Sequence, residues 1–281
     1  MFRAYMSIET HPFVSGKWQE NLIIDTSAWV KELDYFGYVP SKEANTLFLG
    51  TFPTFEVVNK KRHNGNMEFF YGSTSNQFWK ILSWVTGSTL TNENDCISLL
   101  HSNRLAITDI LFKVDRISEM SGDSDIKVLQ YNNIGLLLNK FSSIDSIVLT
   151  SGGKSPIRKS SANSAGAWLF NYLGLFGHDP RLFTRPGYQK SFLLQNGKEV
   201  SVSFLFSPSN SANISLEGII RKHDLNKILL SFLTDKTEIN LCNRLRILQY
   251  AYILKKGGMQ IESSISDCLR FNSDLVTTIF R

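Results

Sequence analysis

The sequence predicts an α/β protein, a parallel sheet with helices on both faces, and three observations predict it. Short apolar runs that end in turn-forming or polar residues recur at TLFLG (46–50), LAITDIL (105–111), IDSIVLT (144–150) and VSVSFLF (200–206). Helix-period patterns lie between them: QFWKILSWV after Asn76, the stretch after Ser160 through SAGAWLFNYLGL, and NISLEGIIRKHDLNKILLSFL from Asn213. At 281 residues, 42% hydrophobic and 20% charged, the chain can bury one sizeable core.

Residues 1–43 form an N-terminal extension holding Trp18 and Trp29 among aromatics of no regular period. The runs at 46–50, 105–111 and 144–150 predict buried parallel strands, because continuous apolar residues suit a strand covered on both faces. The run at 200–206 enters the sheet from a hairpin around Gln195-Asn196-Gly197-Lys198. Strand alternating with helix stacks into layers over residues 44–231. Residues 232–281 read as a helical C-terminal extension packed on the same domain. There TEINLCNRLRILQYAYILKK predicts an amphipathic basic helix, broken at KKGG. Its Arg244, Arg246, Lys255 and Lys256 read as a solvated face, with an added nucleic-acid footprint as the alternative. No internal repeat and no low-complexity stretch interrupts the chain.

Charge and cysteines narrow the function classes. Thirty Lys and Arg against 25 Asp and Glu give a net charge of +5 and a pI near 9.0, which suits a polyanionic partner without requiring one. Cys96, Cys242 and Cys268 stand far apart with no CxxC pair, so neither a disulfide framework nor a four-thiolate metal site is expected. That points to a cytoplasmic setting. The N-terminus shows no apolar signal core and no run approaches a bilayer span, so no membrane partner is expected.

In such folds ligands bind in the loops beyond the carboxyl ends of the strands. In GTFPTF (50–55), Gly50 and Pro53 make a turn that can present backbone amides, or that simply ends a strand. FFYGSTSNQFW (69–79) comes after the basic stretch NKKRHNGN. Phe70 and Tyr71 precede a glycine, where an aromatic face can meet a planar ligand, and Asn76 carries both donor and acceptor. Asn76 also reads as a helix cap, and Phe78 and Trp79 as a buried helical stripe. Asp109, near a strand end, is either an acceptor for loop amides or a site residue, while Asp115 and Arg116 read as an exposed pair. KSPIRKSSANS (154–164) and SPSNSANIS (207–215) are hydroxyl-rich loops able to hold phosphates or to cap helices.

Taken in order, the turn Gly50-Thr51-Phe52-Pro53, Phe70-Tyr71-Gly72 with Asn76-Gln77-Phe78-Trp79, the segment from Asp109 to Asp125, and the loop SPSNSAN from Ser207 to Asn213 resemble the motif series of the uracil-DNA glycosylase superfamily. They are most similar to its hypoxanthine-DNA glycosylase branch, as is His11-Pro12-Phe13 near the start. The resemblance spans about residues 44 to 230. It implies a three-layer fold with a central four-stranded parallel sheet flanked by helices, and hydrolysis of the N-glycosidic bond of a base flipped out of DNA, with no cofactor and no metal. Carried onto this chain, it implies Asn76 as catalytic residue with Asp109 as second candidate. Gly50, Thr51, Phe52, Pro53, Phe70, Tyr71, Gly72 and Ser73 would form the base pocket, with Phe52 and Tyr71 stacking. Lys154, Arg158, Ser207, Pro208, Ser209, Asn210, Ser211 and Asn213 would hold DNA.

The chain departs from the branch where GHPQN becomes Gly72-Ser73-Thr74-Ser75-Asn76, and the stretch from Glu56 to Glu68 is longer and more basic. Losing an imidazole and a proline kink makes the pocket more hydroxylic. The base is therefore open between a deaminated one, uracil or hypoxanthine, and a bulky modified pyrimidine of the kind found in phage genomes, which would make the protein a phage-defence enzyme. A catalytically inactive sensor of modified DNA and a hydrolase of free nucleosides are the alternatives. No obligatory protein partner is expected.

Overall fold

The computed structural model describes residues 7–18, 28–59, 66–118, 123–151, 163–179, 189–234 and 238–280. Ten strands among them build two sheets: β1 (Ser7–Thr10), β2 (Trp29–Lys31), β3 (Phe36–Tyr38), β4 (Thr46–Gly50), β5 (Leu105–Asp109), β6 (Leu111–Arg116), β7 (Ile126–Tyr131), β8 (Ser146–Leu149), β9 (Gln189–Leu193) and β10 (Glu199–Phe204). The larger sheet has seven strands in the order β2-β3-β5-β4-β8-β10-β9. Its middle strands β5, β4, β8 and β10 run parallel, and antiparallel strands extend both edges, so the sheet is mixed and wider than the sequence suggests.

The hairpin expected around Asn196 joins β9 to β10. LAITDIL divides at Ile110: β5 stays in the main sheet, while β6 turns away to pair with β1 and β7 in a small antiparallel sheet. That departure carries Asp109 to the rim of one sheet and Arg116 into the other.

Side-chain alternation sends successive residues of the parallel strands into two separate cores. Phe48, Ile107, Val148 and Leu205 face one core, and Leu47, Leu49, Ala106, Ile147 and Leu149 face the other. The first is closed by α2 (Phe78–Thr86), α3 (Glu93–Ser102), α6 (Asn213–Lys222) and the long helix α8 (Leu241–Lys256). The second is closed by α4 (Ile134–Lys140) and α5 (Ala165–Leu175). The remaining helices are the short α1 (Phe55–Val58), α7 (Asn226–Ser231), α9 (Ser263–Phe271) and α10 (Ser273–Phe280). The pattern from Asn213 divides into α6 and α7, where Asp224 takes a left-handed φ of 47°.

Two charge assignments need correction. Asp115 and Arg116 are buried, not an exposed pair, and Arg116 bonds Glu9. The face of α8 expected in solvent is inside: every residue from Cys242 to Ala251 is buried, Arg244 and Arg246 included. Helices α2, α6, α7, α9 and α10 all pack against α8, so its polar residues meet backbone carbonyls instead of water. Arg244 donates from Nε to the Ile239 carbonyl (2.9 Å) and from Nη1 to the Leu229 carbonyl (3.0 Å), closing the chain between α7 and α8. Lys255 and Lys256 alone of the four remain exposed.

Candidate active site

A cavity of about 400 Å³ opens at the carboxyl ends of β4, β5, β8 and β10. The turn after β4 contributes Thr51, Phe52 and Pro53, the aromatic loop Tyr71, Gly72, Ser73 and Asn76, and the loop after β10 Ser207, Pro208, Ser209 and Ser211. Asp109, Asp123 and Thr150 complete the lining. A larger cleft of about 590 Å³ lies at the opposite ends of the strands, around Thr46, Ser146 and Glu199. The smaller cavity is the better candidate, because parallel strands deliver their loops and ligands at the carboxyl end.

Glycine at position 50 is a requirement of packing. A Cβ there would lie 2.1 Å from Asp109 Oδ1 and 2.2 Å from the Tyr71 hydroxyl, so only a bare backbone lets carboxylate and phenol close over the end of β4. Tyr71 is held by Phe78, stacked at 4.3 Å between ring centroids, and by Thr150, 2.7 Å from hydroxyl to hydroxyl. It adopts a left-handed φ of 57°, uncommon for a side chain with a Cβ. Burial and the nearby Asp109 push its phenol well above the usual range.

Asp109 is held from behind. The buried ring of His11, among Phe36, Phe52, Phe70 and Trp18, lies with Nε2 2.9 Å from Asp109 Oδ2. The Phe13 amide donates to Nδ1 at 3.3 Å, so the imidazole proton sits on Nε2 and is donated to the carboxylate. Burial lowers the His11 pKa, against the opposing pull of Asp109, so a neutral ring does this work.

The N-cap position of α2 falls to Gln77, and Asn76 lines the cavity instead. Its Oδ1 accepts from the Phe78 amide at 2.9 Å, a local bond that starts α2 and leaves the Nδ2 hydrogens to the cavity. The aromatic loop is laced to the serine loop by a bridge between Asn76 and Ser209 and by the Gln77 amide on the Pro208 carbonyl at 3.1 Å. Ser73 is buried with its hydroxyl 2.9 Å from that of Ser75.

The serine loop is fixed from α8. Arg246 donates from Nε to the Ser207 carbonyl (2.9 Å), from Nη2 to the Ser209 carbonyl (2.8 Å) and from Nη1 to Oδ1 of Asn213 (2.9 Å) and Asn243 (2.8 Å). One turn on, Gln249 bonds the Phe204 carbonyl and the Phe206 amide, and the Tyr250 hydroxyl donates to the Phe206 carbonyl at 3.1 Å. Spacing of three and four puts all three on one helical face.

Not every expected site residue reaches the cavity. Phe70 is fully buried against Phe13, Trp18 and His11, behind the wall instead of on it. Gly50 lies beneath the wall, Asn210 is exposed in a short 3-10 turn, and Asn213 faces Arg246. Lys154 and Arg158 lie outside the described residues, as does most of NKKRHNGN. The sequence reading names neither Asp123 nor Thr150 as a site residue, takes Arg246 for a solvated face, and reaches His11 only through the HPF motif. Asp123 lies within the Asp109–Asp125 segment of the motif series, where it is not singled out. It is partly buried, with Oδ1 accepting from Thr51 Oγ1 at 3.1 Å. Among the described residues no group of three or more His, Cys, Asp or Glu side chains is placed to share a metal ion, and no helix is long and apolar enough to cross a membrane.

No family model and no curated protein matches the chain. Among solved structures it is similar to the solution NMR structure of a putative uracil DNA glycosylase from Methanosarcina acetivorans, at 19% identity and a TM-score of 0.38. The match covers 61% of this chain and 81% of that one. A similarity of that size carries no argument about function.

Proposed function

We propose that the protein is a DNA glycosylase of the uracil-DNA glycosylase kind, which takes a base flipped out of DNA and hydrolyses its N-glycosidic bond to leave an abasic site. One observation carries the reading: a single cavity brings Phe52 and Tyr71, the Asn76 amide and the Asp109 carboxylate together beneath a rim of three serines. These are the parts the reaction needs. Aromatic walls compensate the few kcal/mol of lost stacking that flipping costs. The Asn76 N–H groups donate to an oxygen of the departing base, where negative charge grows as the bond breaks. Asp109, oriented by His11, stabilises the cationic sugar and holds the attacking water. Ser207, Ser209 and Ser211 take the flanking phosphates, with Lys154 and Arg158 as added contacts. No covalent lysine enters this scheme, so strand cleavage waits for alkali.

The order of motifs along the chain supports the same reading. The run Ser73-Thr74-Ser75 favours a base bearing hydrogen-bonding substituents, which keeps a hypermodified phage pyrimidine beside uracil and hypoxanthine. Oligonucleotides carrying each base, incubated with protein and then treated with alkali, test it. Scission at one modified base is expected. Base-dependent retention on a gel without scission would instead identify a binder, and no response to any base would overturn the proposal.

A further inference from the structure

The cavity holds a second carboxyl group that has no part in the chemistry assigned to Asn76 and Asp109. Asp123 lines the same cavity as Asp109 and accepts from Thr51, a hydroxyl on the turn that also supplies Phe52. The two carboxyls have different surroundings. Asp109 receives a proton donor from behind, His11, in a buried aromatic nest. For Asp123 the charged and titratable neighbours are Asp109 at the end of β5, Arg116 on β6 and Tyr71 on the aromatic loop. Two carboxyls that face one bound base from different surroundings can divide the proton work between an acid and a base.

Building on the glycosylase reading, we propose that Asp123 is the proton donor of the site: its carboxyl protonates the departing base while Asp109 takes the proton of the attacking water. The C1′–N bond breaks with its electron pair passing to the base, and the Asp123 proton moves to a ring nitrogen or exocyclic oxygen of that base. The water oxygen bonds to C1′ and gives its proton to Asp109. Exchange with solvent in the open pocket returns Asp109 to its anion and Asp123 to its acid. Burial, foremost, and the charge of Asp109 push the Asp123 carboxyl up to about 7, against the opposing pull of Thr51 and Arg116. An acid of that strength is about half protonated at neutral pH, and it loses the rest of its proton as pH rises further.

The test is single-turnover base release between pH 5.5 and 9 from duplexes carrying uracil, hypoxanthine or 5-hydroxymethylcytosine, using the full chain. In the wild type, release from whichever base is cut should fall tenfold per pH unit above about 7. Asp123→Asn should lower the neutral-pH rate by about 10²-fold and abolish that alkaline fall. Thr51→Val removes the hydroxyl that holds the Asp123 carboxyl down, so it should move the fall to higher pH, a change that a merely structural role would not produce. This second variant keeps the test alive should Asp123→Asn not fold. An active wild type whose rate is flat across the range, or whose alkaline fall is unchanged in both variants, overturns the role of Asp123 alone. A wild type inactive on every base overturns the glycosylase reading, and this inference with it.

Discussion

Two fully buried arginines stand behind the turn and the serine loop of the cavity, and their charges meet different surroundings. Arg116 places Nε 2.9 Å from Glu9 Oε2, donates from Nη2 to the Pro53 carbonyl at 2.9 Å, and lies over the Phe52 ring. Its charge is cancelled within the wall it supports. Arg246 donates only to neutral oxygens, those of Ser207, Ser209, Asn213 and Asn243, and among the described residues no carboxylate pairs with it. Burial lowers its pKa accordingly. Carbonyl dipoles can satisfy its hydrogens but cannot cancel its charge. The turn wall is therefore backed by a paired charge, and the serine wall by a positive field suited to a phosphate.

The most disruptive way to probe the contrast is Glu9→Ala. It removes one partner of a buried ion pair and should cost about 3–5 kcal/mol of stability in denaturant unfolding. Salt dependence of DNA retention should not change. Next comes Asn76, on the Arg246 side. Asn76→Ala should lower base release by about 10²–10³-fold. Asn76→Asp keeps the acceptor for the Phe78 amide but has no hydrogen to donate, so it should be as slow as alanine; retained activity in Asn76→Asp would refute the donor role. Arg246→Met should cost about 2 kcal/mol, since it orphans carbonyls of the serine loop. Unlike Glu9→Ala it should also flatten the salt dependence of DNA retention on a gel, and Arg246→Lys should retain that dependence. Identical salt responses in the Glu9 and Arg246 variants would dissolve the comparison. Smallest of all, Lys255→Ala and Lys256→Ala, on the exposed end of α8, should move stability by no more than about 0.5 kcal/mol.

How far a feature can be read from the sequence depends on how locally it is encoded. Strands β4, β5 and β8 announce themselves as unbroken apolar runs between turn residues, and the loops after them are then placed by the fold. Thr51 after β4 and Asp109 at the end of β5 are legible for that reason, whereas Tyr71, Asn76 and Ser207 come into view through the motif series. The bond from His11 to Asp109 joins residues 98 apart, and that from Arg116 to Glu9 residues 107 apart. No local period encodes such partners. The arginines of α8 mislead for a different reason. A charged residue in a helix reads as surface, and only five surrounding helices turn that rule around. Asp123 is a different case, an acidic residue among several in a polar stretch, which only its place in the fold brings to the pocket.

The dependence of the serine loop on α8 also has a direction in time. A chain made from its N-terminus completes the parallel strands, the turn, the aromatic loop and even Ser207 to Asn213 before Arg246, Gln249 and Tyr250 exist to hold that loop. Until α8 arrives, the carbonyls of Phe204, Phe206, Ser207 and Ser209 lack the donors that later fix them. The nascent protein would thus hold its parallel strands and the other loops of the cavity before the serine loop is fixed, and α8 would be the element that fixes it.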